Sequence, residues 1–123
     1  MPDSGRSGSS SRERLVYHYT DEDGYKAIAS QPVWKFKASR PERIDNPFGA
    51  YFTTEPPDAK NLAEKIGVSW QKTRFYFAFA DYGDLRPVGT SRPARYQRKF
   101  YSPIDYEVEL HRQRGSGENP SWT

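Results

Sequence analysis

Thr73-Arg74-Phe75-Tyr76-Phe77-Ala78-Phe79-Ala80 sets a phenylalanine at every second position. A repeat of two belongs to a strand, so Phe75, Phe77 and Phe79 share one face, and such a face must be covered by other apolar surface. Two further stretches offer partners. Leu15-Val16-Tyr17-His18-Tyr19-Thr20 is aromatic and β-prone and stops at Asp21-Glu22-Asp23-Gly24, as a strand ending in a turn does. Val33 to Ala38 alternates Trp34 and Phe36 with Lys35 and Lys37, the pattern of a strand with one wet face. Ala50 to Thr53 reads as another short strand. Asp105 to Arg112 reads as a closing strand, with Tyr106, Val108 and Leu110 alternating against Asp105, Glu107, Glu109 and His111.

Helices punctuate these strands. Thr20 suits an N-cap for a short helix through Ala29, with Asp23 three residues on. Ala59, Leu62, Ala63 and Ile66 recur at helical spacing after Thr54, Pro56 and Pro57, and Gly67 follows where a left-handed cap belongs. This second helix reads as the stronger of the two. Two short helices among five or six strands make a small α+β domain with a mainly antiparallel sheet.

Composition bounds the rest. The chain has 123 residues, 19 Lys plus Arg against 16 Asp plus Glu, a net charge of +3, no Cys and two His. That is room for one domain. No window approaches the ~18 apolar residues of a membrane span, so no membrane partner is expected. Without Cys there is neither a disulfide framework nor a thiolate metal site. His18 and His111 cannot fill a structural zinc site by themselves, so no metal is expected. Residues 1–13 are rich in Ser and Gly and hold no apolar run, which reads as a flexible tail and not a signal peptide. Residues 113–123 read as a second flexible tail, leaving a folded domain at 14–112. The cytoplasm is the favoured compartment, and a monomer the expected state.

Residues 86–104 carry five basic and no acidic side chains and three prolines. They read either as a solvated loop or as a surface for an anionic partner, with Tyr96, Phe100 and Tyr101 available to stack on bases. The loop before Phe48 holds Arg40 and Arg43, both suited to a pyrophosphate.

Three points exceed what a packed core needs: His18 on the first strand, the segment Phe48-Gly49-Ala50-Tyr51-Phe52-Thr53, and Asp105 at the head of the last strand. Tyr51 follows His18 by 33 residues and Asp105 follows Tyr51 by 54. Taken together they resemble the poly(ADP-ribose) polymerase-like ADP-ribosyltransferases, specifically the small toxin-like subgroup with a His-Tyr-Asp (H-Y-D) motif. The stretch from Leu15 to Thr20 looks like that subgroup's first motif, and the second motif is shorter here than in its relatives. Asp81, Asp84 and Glu107 are alternative acids. Asp105 is preferred because Tyr106 and Val108 follow it as in the family pattern.

The resemblance implies a split antiparallel β core and an NAD-dependent glycosyltransferase. Such an enzyme moves ADP-ribose from NAD to a protein or nucleic-acid acceptor and releases nicotinamide. It implies catalytic roles for His18, Tyr51 and Asp105. His18, Tyr19, Thr20, Phe48, Gly49, Tyr51 and Phe52 would line the NAD site, with His18 on the adenosine ribose, the Tyr19 main chain on the carboxamide and Tyr51 stacked on the nicotinamide. NAD would be substrate, with no metal. An NAD glycohydrolase of the same fold, or a non-catalytic basic module binding nucleic acid or protein, are the alternatives.

Overall fold

The computed structural model describes residues 13–40, 46–89 and 98–122. Its strands are β1 (Leu15–Thr20), β2 (Trp34–Phe36), β3 (Ala50–Thr53), β4 (Phe75–Ala80), β5 (Arg86–Pro87), β6 (Lys99–Ser102), β7 (Tyr106–Val108) and β8 (Gln113–Glu118), with helices α1 (Glu22–Ala29) and α2 (Leu62–Ile66). Six strands form one antiparallel sheet in the order β5-β6-β3-β1-β4-β8, and β2 pairs with β7 in a separate ribbon. The chain is thus α+β with a mostly antiparallel sheet and two helices.

Alternation builds the core. Val16 from β1, Phe52 from β3 and Phe77 and Phe79 from β4 bury one face of the large sheet against Trp34, Phe36, Tyr106 and Val108 of the ribbon. Rings meet largely edge to face, as their quadrupoles prefer: Phe36 on Phe52 at 5.3 Å and 87°, Phe52 on Phe79 at 5.4 Å and 89°. Each fully buried phenylalanine contributes roughly 1.5–3 kcal/mol, so these aromatics outweigh any surface ion pair in the chain. Tyr25 and Ile28 dock α1 on the same core.

Four expectations are corrected. Thr20 is not the cap of α1, because it is the last rung of the β1–β4 ladder opposite Phe75; Asp21 caps instead, accepting from the Gly24 N–H at 2.9 Å. The second helix is the shorter one, five residues. Pro56 and Pro57 supply no N–H, the Glu55 N–H is taken by Thr53 Oγ1, and Asn61 sits at φ 55°, so the helix starts only at Leu62 and closes at the left-handed Gly67. Residues 86–104 are not one solvated loop: β5 and β6 lie within them, and Phe100 is buried at 5% exposure. Residues 113–118 are no tail. They form β8, paired along most of β4, an edge strand held by backbone bonds and not by apolar side chains.

Leu110 is also misplaced by alternation. The chain leaves β7 into a single 3-10 turn, Leu110–Arg112, which exposes Leu110 at 72% and buries Arg112 at 4%. The Arg112 guanidinium donates to the Ala80 carbonyl at 2.9 Å and to the Tyr106 hydroxyl at 2.8 Å, beneath the Tyr82 ring at 3.9 Å. Tyr106 in turn donates to Asp84 at 2.6 Å, so the buried cation reaches a carboxylate through a phenol. The expected tail at 1–13 lies, but for Glu13, outside the described residues. Among the described residues no helix is long and apolar enough to cross a membrane.

Candidate functional site at the seam of the large sheet

The large sheet is weakly joined in the middle. β1 registers six residue pairs with β4, and β3 registers four with β6, yet β1 and β3 register one, Tyr17 opposite Thr53. Beyond that pair stands His18. Its Nδ1–H donates to the Tyr51 carbonyl at 2.9 Å, so an imidazole takes an acceptor that a longer ladder would have used. A carbonyl only accepts, which puts the proton on Nδ1 and leaves Nε2 as an acceptor.

The ring is wrapped by Phe36 at 4.7 Å, Phe52 at 5.7 Å and Phe77 at 6.5 Å. That burial pulls the His18 pKa down from 6.5 to about 4; the bond to Tyr51 opposes the shift and the Lys72 charge adds to it. At neutral pH the site holds an uncharged imidazole.

Tyr51 leaves β3 on the other side. Phe52 packs with His18 in the core, so its neighbour Tyr51 points to the outer face, where its ring stacks on Tyr101 at 5.9 Å and 25°. Its hydroxyl donates to the Pro47 carbonyl, and burial together with Tyr101 raises its pKa. Gly49 explains why this segment needs glycine: a Cβ there would lie 2.5 Å from the Ser102 carbonyl oxygen and 3.0 Å from the Tyr101 ring. Gly49 also bridges Ser39, while Phe48 is 58% exposed.

On β1, Tyr19 is buried and its hydroxyl donates to the Glu55 carbonyl at 2.6 Å. Burial, then Tyr17, Asp58 and Glu55, push its pKa up. Thr20 ends the strand, Arg40 is exposed, and Arg43 lies outside the described residues.

Asp105 lies just ahead of β7, exposed, its Oδ1 accepting the Ala38 N–H at 2.9 Å and its Oδ2 4.0 Å from the Lys35 ammonium. The other acids are differently engaged. Asp81 accepts from Arg14 and Gly83 at 2.8 Å each, Asp84 holds Tyr106, and Glu107 faces Lys35 across the ribbon. The fold therefore joins His18 to the backbone of Tyr51 across the seam, sends their side chains to opposite faces, and sets Asp105 on the ribbon. Asp105 nonetheless adjoins Tyr106, whose ring packs on Phe52 at 5.2 Å.

Sequence reasoning missed two buried charges. Glu55 is 5% exposed and meets Arg98 at 3.5 Å; Arg112 is described above. Nothing in their sequence neighbourhoods marks either as inward-facing. Comparison with protein-family models, with curated proteins and with solved structures finds no match.

Proposed function

We propose that the chain is an NAD-dependent ADP-ribosyltransferase of the His-Tyr-Asp kind. The observation that carries this reading is the His18–Tyr51 bond across the one-pair seam. It brings the His-Tyr-Thr and Phe-Gly-x-Tyr-Phe-Thr segments side by side on neighbouring strands, which supports the reading that both contribute to one site.

The chemistry suits the charge state. A neutral His18 offers Nε2 as an acceptor for a hydroxyl of the adenosine ribose. The C1′–N bond breaks, nicotinamide leaves with its electron pair, and the acceptor's nucleophile bonds C1′ and gives up its proton. A carboxylate at the nicotinamide ribose stabilises the developing positive charge, the role proposed for Asp105. An aromatic face such as Tyr51 favours the cationic ring.

Binding is the first test. NAD in excess stabilises whatever folded state binds it, by about 2.7 kcal/mol at a hundredfold over Kd. The melting temperature is expected to rise with NAD and less with the nicotinamide-free ADP-ribose. A folded chain whose melting point ignores millimolar NAD would sink the reading.

A further inference from the structure

We infer that the acceptor is single-stranded nucleic acid, held on the outer face of the half-sheet β5-β6-β3. The inference rests on the transferase reading for its chemistry, though the surface stands on separate observations. Residues directly opposite in an antiparallel ladder share a face. Arg86 lies opposite Tyr101, Tyr101 opposite Tyr51, and Lys99 opposite Thr53. The outer face of these three strands therefore carries two stacked tyrosine rings, an arginine and a lysine. Phe100, on the other side of β6, is spent on the core.

The charge is one-sided. β3, β5 and β6 contribute no carboxylate at all, while Arg86 and Lys99 lie on them. Glu55, just past β3, is matched to Arg98. Arg86 is exposed, and Lys99 and Tyr101 are half-buried. The Tyr101 ring stacks on the Tyr51 ring at 5.9 Å and occupies the space that a Cβ on Gly49 would enter. A pair of stacked rings on a sheet face, with Arg86 and Lys99 on neighbouring strands and offset by two residues, about 7 Å along the strand direction, matches what stacked bases and phosphates ask of a protein. An acidic protein would satisfy the cations and leave the rings unused.

The strand would lie beside Tyr51, the residue that the transferase reading assigns to nicotinamide, so a nucleophilic oxygen or nitrogen of the strand is delivered to C1′. That atom forms the new bond as the C1′–N bond breaks; nicotinamide takes the electron pair and the strand atom loses its proton.

The test is anisotropy of labelled single-stranded RNA and DNA, about a dozen nucleotides long, titrated with the full chain without NAD at several salt concentrations. Binding is expected, with Tyr101→Ala weakening it roughly 5- to 150-fold and Tyr101→Phe keeping it. Arg86→Ala with Lys99→Ala should flatten the log–log salt slope by about 1.4. Should Tyr101→Ala fail to fold, Arg86→Glu with Lys99→Glu leaves both rings in place and must still abolish binding. Adding labelled NAD is expected to label the strand. No binding by folded protein near 50 mM salt, equal competition by poly-glutamate, or full binding by the charge-reversed variant overturns the inference. Label on lysate protein without strand binding overturns it while sparing the transferase reading; strand binding with NAD left intact does the reverse.

Discussion

His18 gives the structure a pH dependence that can be measured without knowing any substrate. In the folded chain its pKa is about 4, held there first by burial among Phe36, Phe52 and Phe77; in the unfolded chain it returns to 6.5. Above that value both states carry a neutral ring and the imidazole costs nothing. Below it the unfolded state takes up the proton first, so stability falls by about 1.4 kcal/mol per pH unit until the folded pKa is reached, about 3 kcal/mol in all. His18→Asn keeps an N–H for the Tyr51 carbonyl but does not titrate. Urea unfolding of both proteins, in steps from about pH 7.5 to pH 4.5, isolates the imidazole from the carboxylates, because Glu13 and Glu22 titrate alike in each. For a domain of about a hundred residues the extra loss corresponds to roughly 4–8 °C per kcal/mol in melting temperature. The wild type is expected to lose about 2.5 kcal/mol more than the variant over that range. Parallel profiles would refute a neutral, partly buried His18, and with it the electrostatic account of the site.

Gly49→Ala drives a Cβ into the Ser102 carbonyl; backbone cannot swing aside as a side chain can, so a loss of about 1–3 kcal/mol is expected in urea titrations, and an unchanged midpoint would mean the close approach is not there. Tyr106→Phe removes the hydroxyl that links Arg112 to Asp84 and should cost about 1–3 kcal/mol, partly recovered in the double variant with Arg112→Met; no recovery would count against an unpaired buried cation as the cause. Deleting residues 113–122 strips β4 of its β8 partner and Trp70 of its stack on Trp122 at 4.2 Å. The truncated chain is expected to lose its cooperative thermal transition, whereas a disordered tail would leave that transition in place.

Much of the architecture was legible because aromatic alternation is hard to mistake. Phe75, Phe77 and Phe79, and Trp34 and Phe36, announced their faces, and the mainly antiparallel α+β class followed from them. What escaped were elements that do not rely on apolar side chains. β8 is Gln-Arg-Gly-Ser-Gly-Glu and exists through backbone pairing, so no hydrophobic pattern could reveal it. β6 hides its alternation behind neighbouring charge: only Phe100 of Lys99–Ser102 is both apolar and inward. The stronger helix expected after Thr54 was suggested by spacing alone, which cannot register that Asn61 takes a left-handed conformation. At the site, His18 and the Phe-Gly-x-Tyr-Phe-Thr segment stood out by their types and spacing. Which face each side chain would take is decided by the neighbours: Phe52 claims the core beside His18, and Tyr51 is left to Tyr101. Arg112 was invisible because burying a guanidinium depends on Tyr106, Asp84 and the Ala80 carbonyl, three groups the sequence scatters over 27 positions.

Release of nicotinamide from NAD measures the central proposal most directly. Purified chain at neutral pH, supplied with about 1 mM NAD and followed by chromatography, is expected to liberate nicotinamide well above the buffer rate. Asp105→Asn should lower turnover about 100- to 1000-fold with KM little altered, because the lost charge matters most in the transition state. Asp81→Asn, which removes only a partner of Arg14 and Gly83, should keep the wild-type rate. No nicotinamide from folded wild-type chain, or wild-type turnover by Asp105→Asn, would contradict the account.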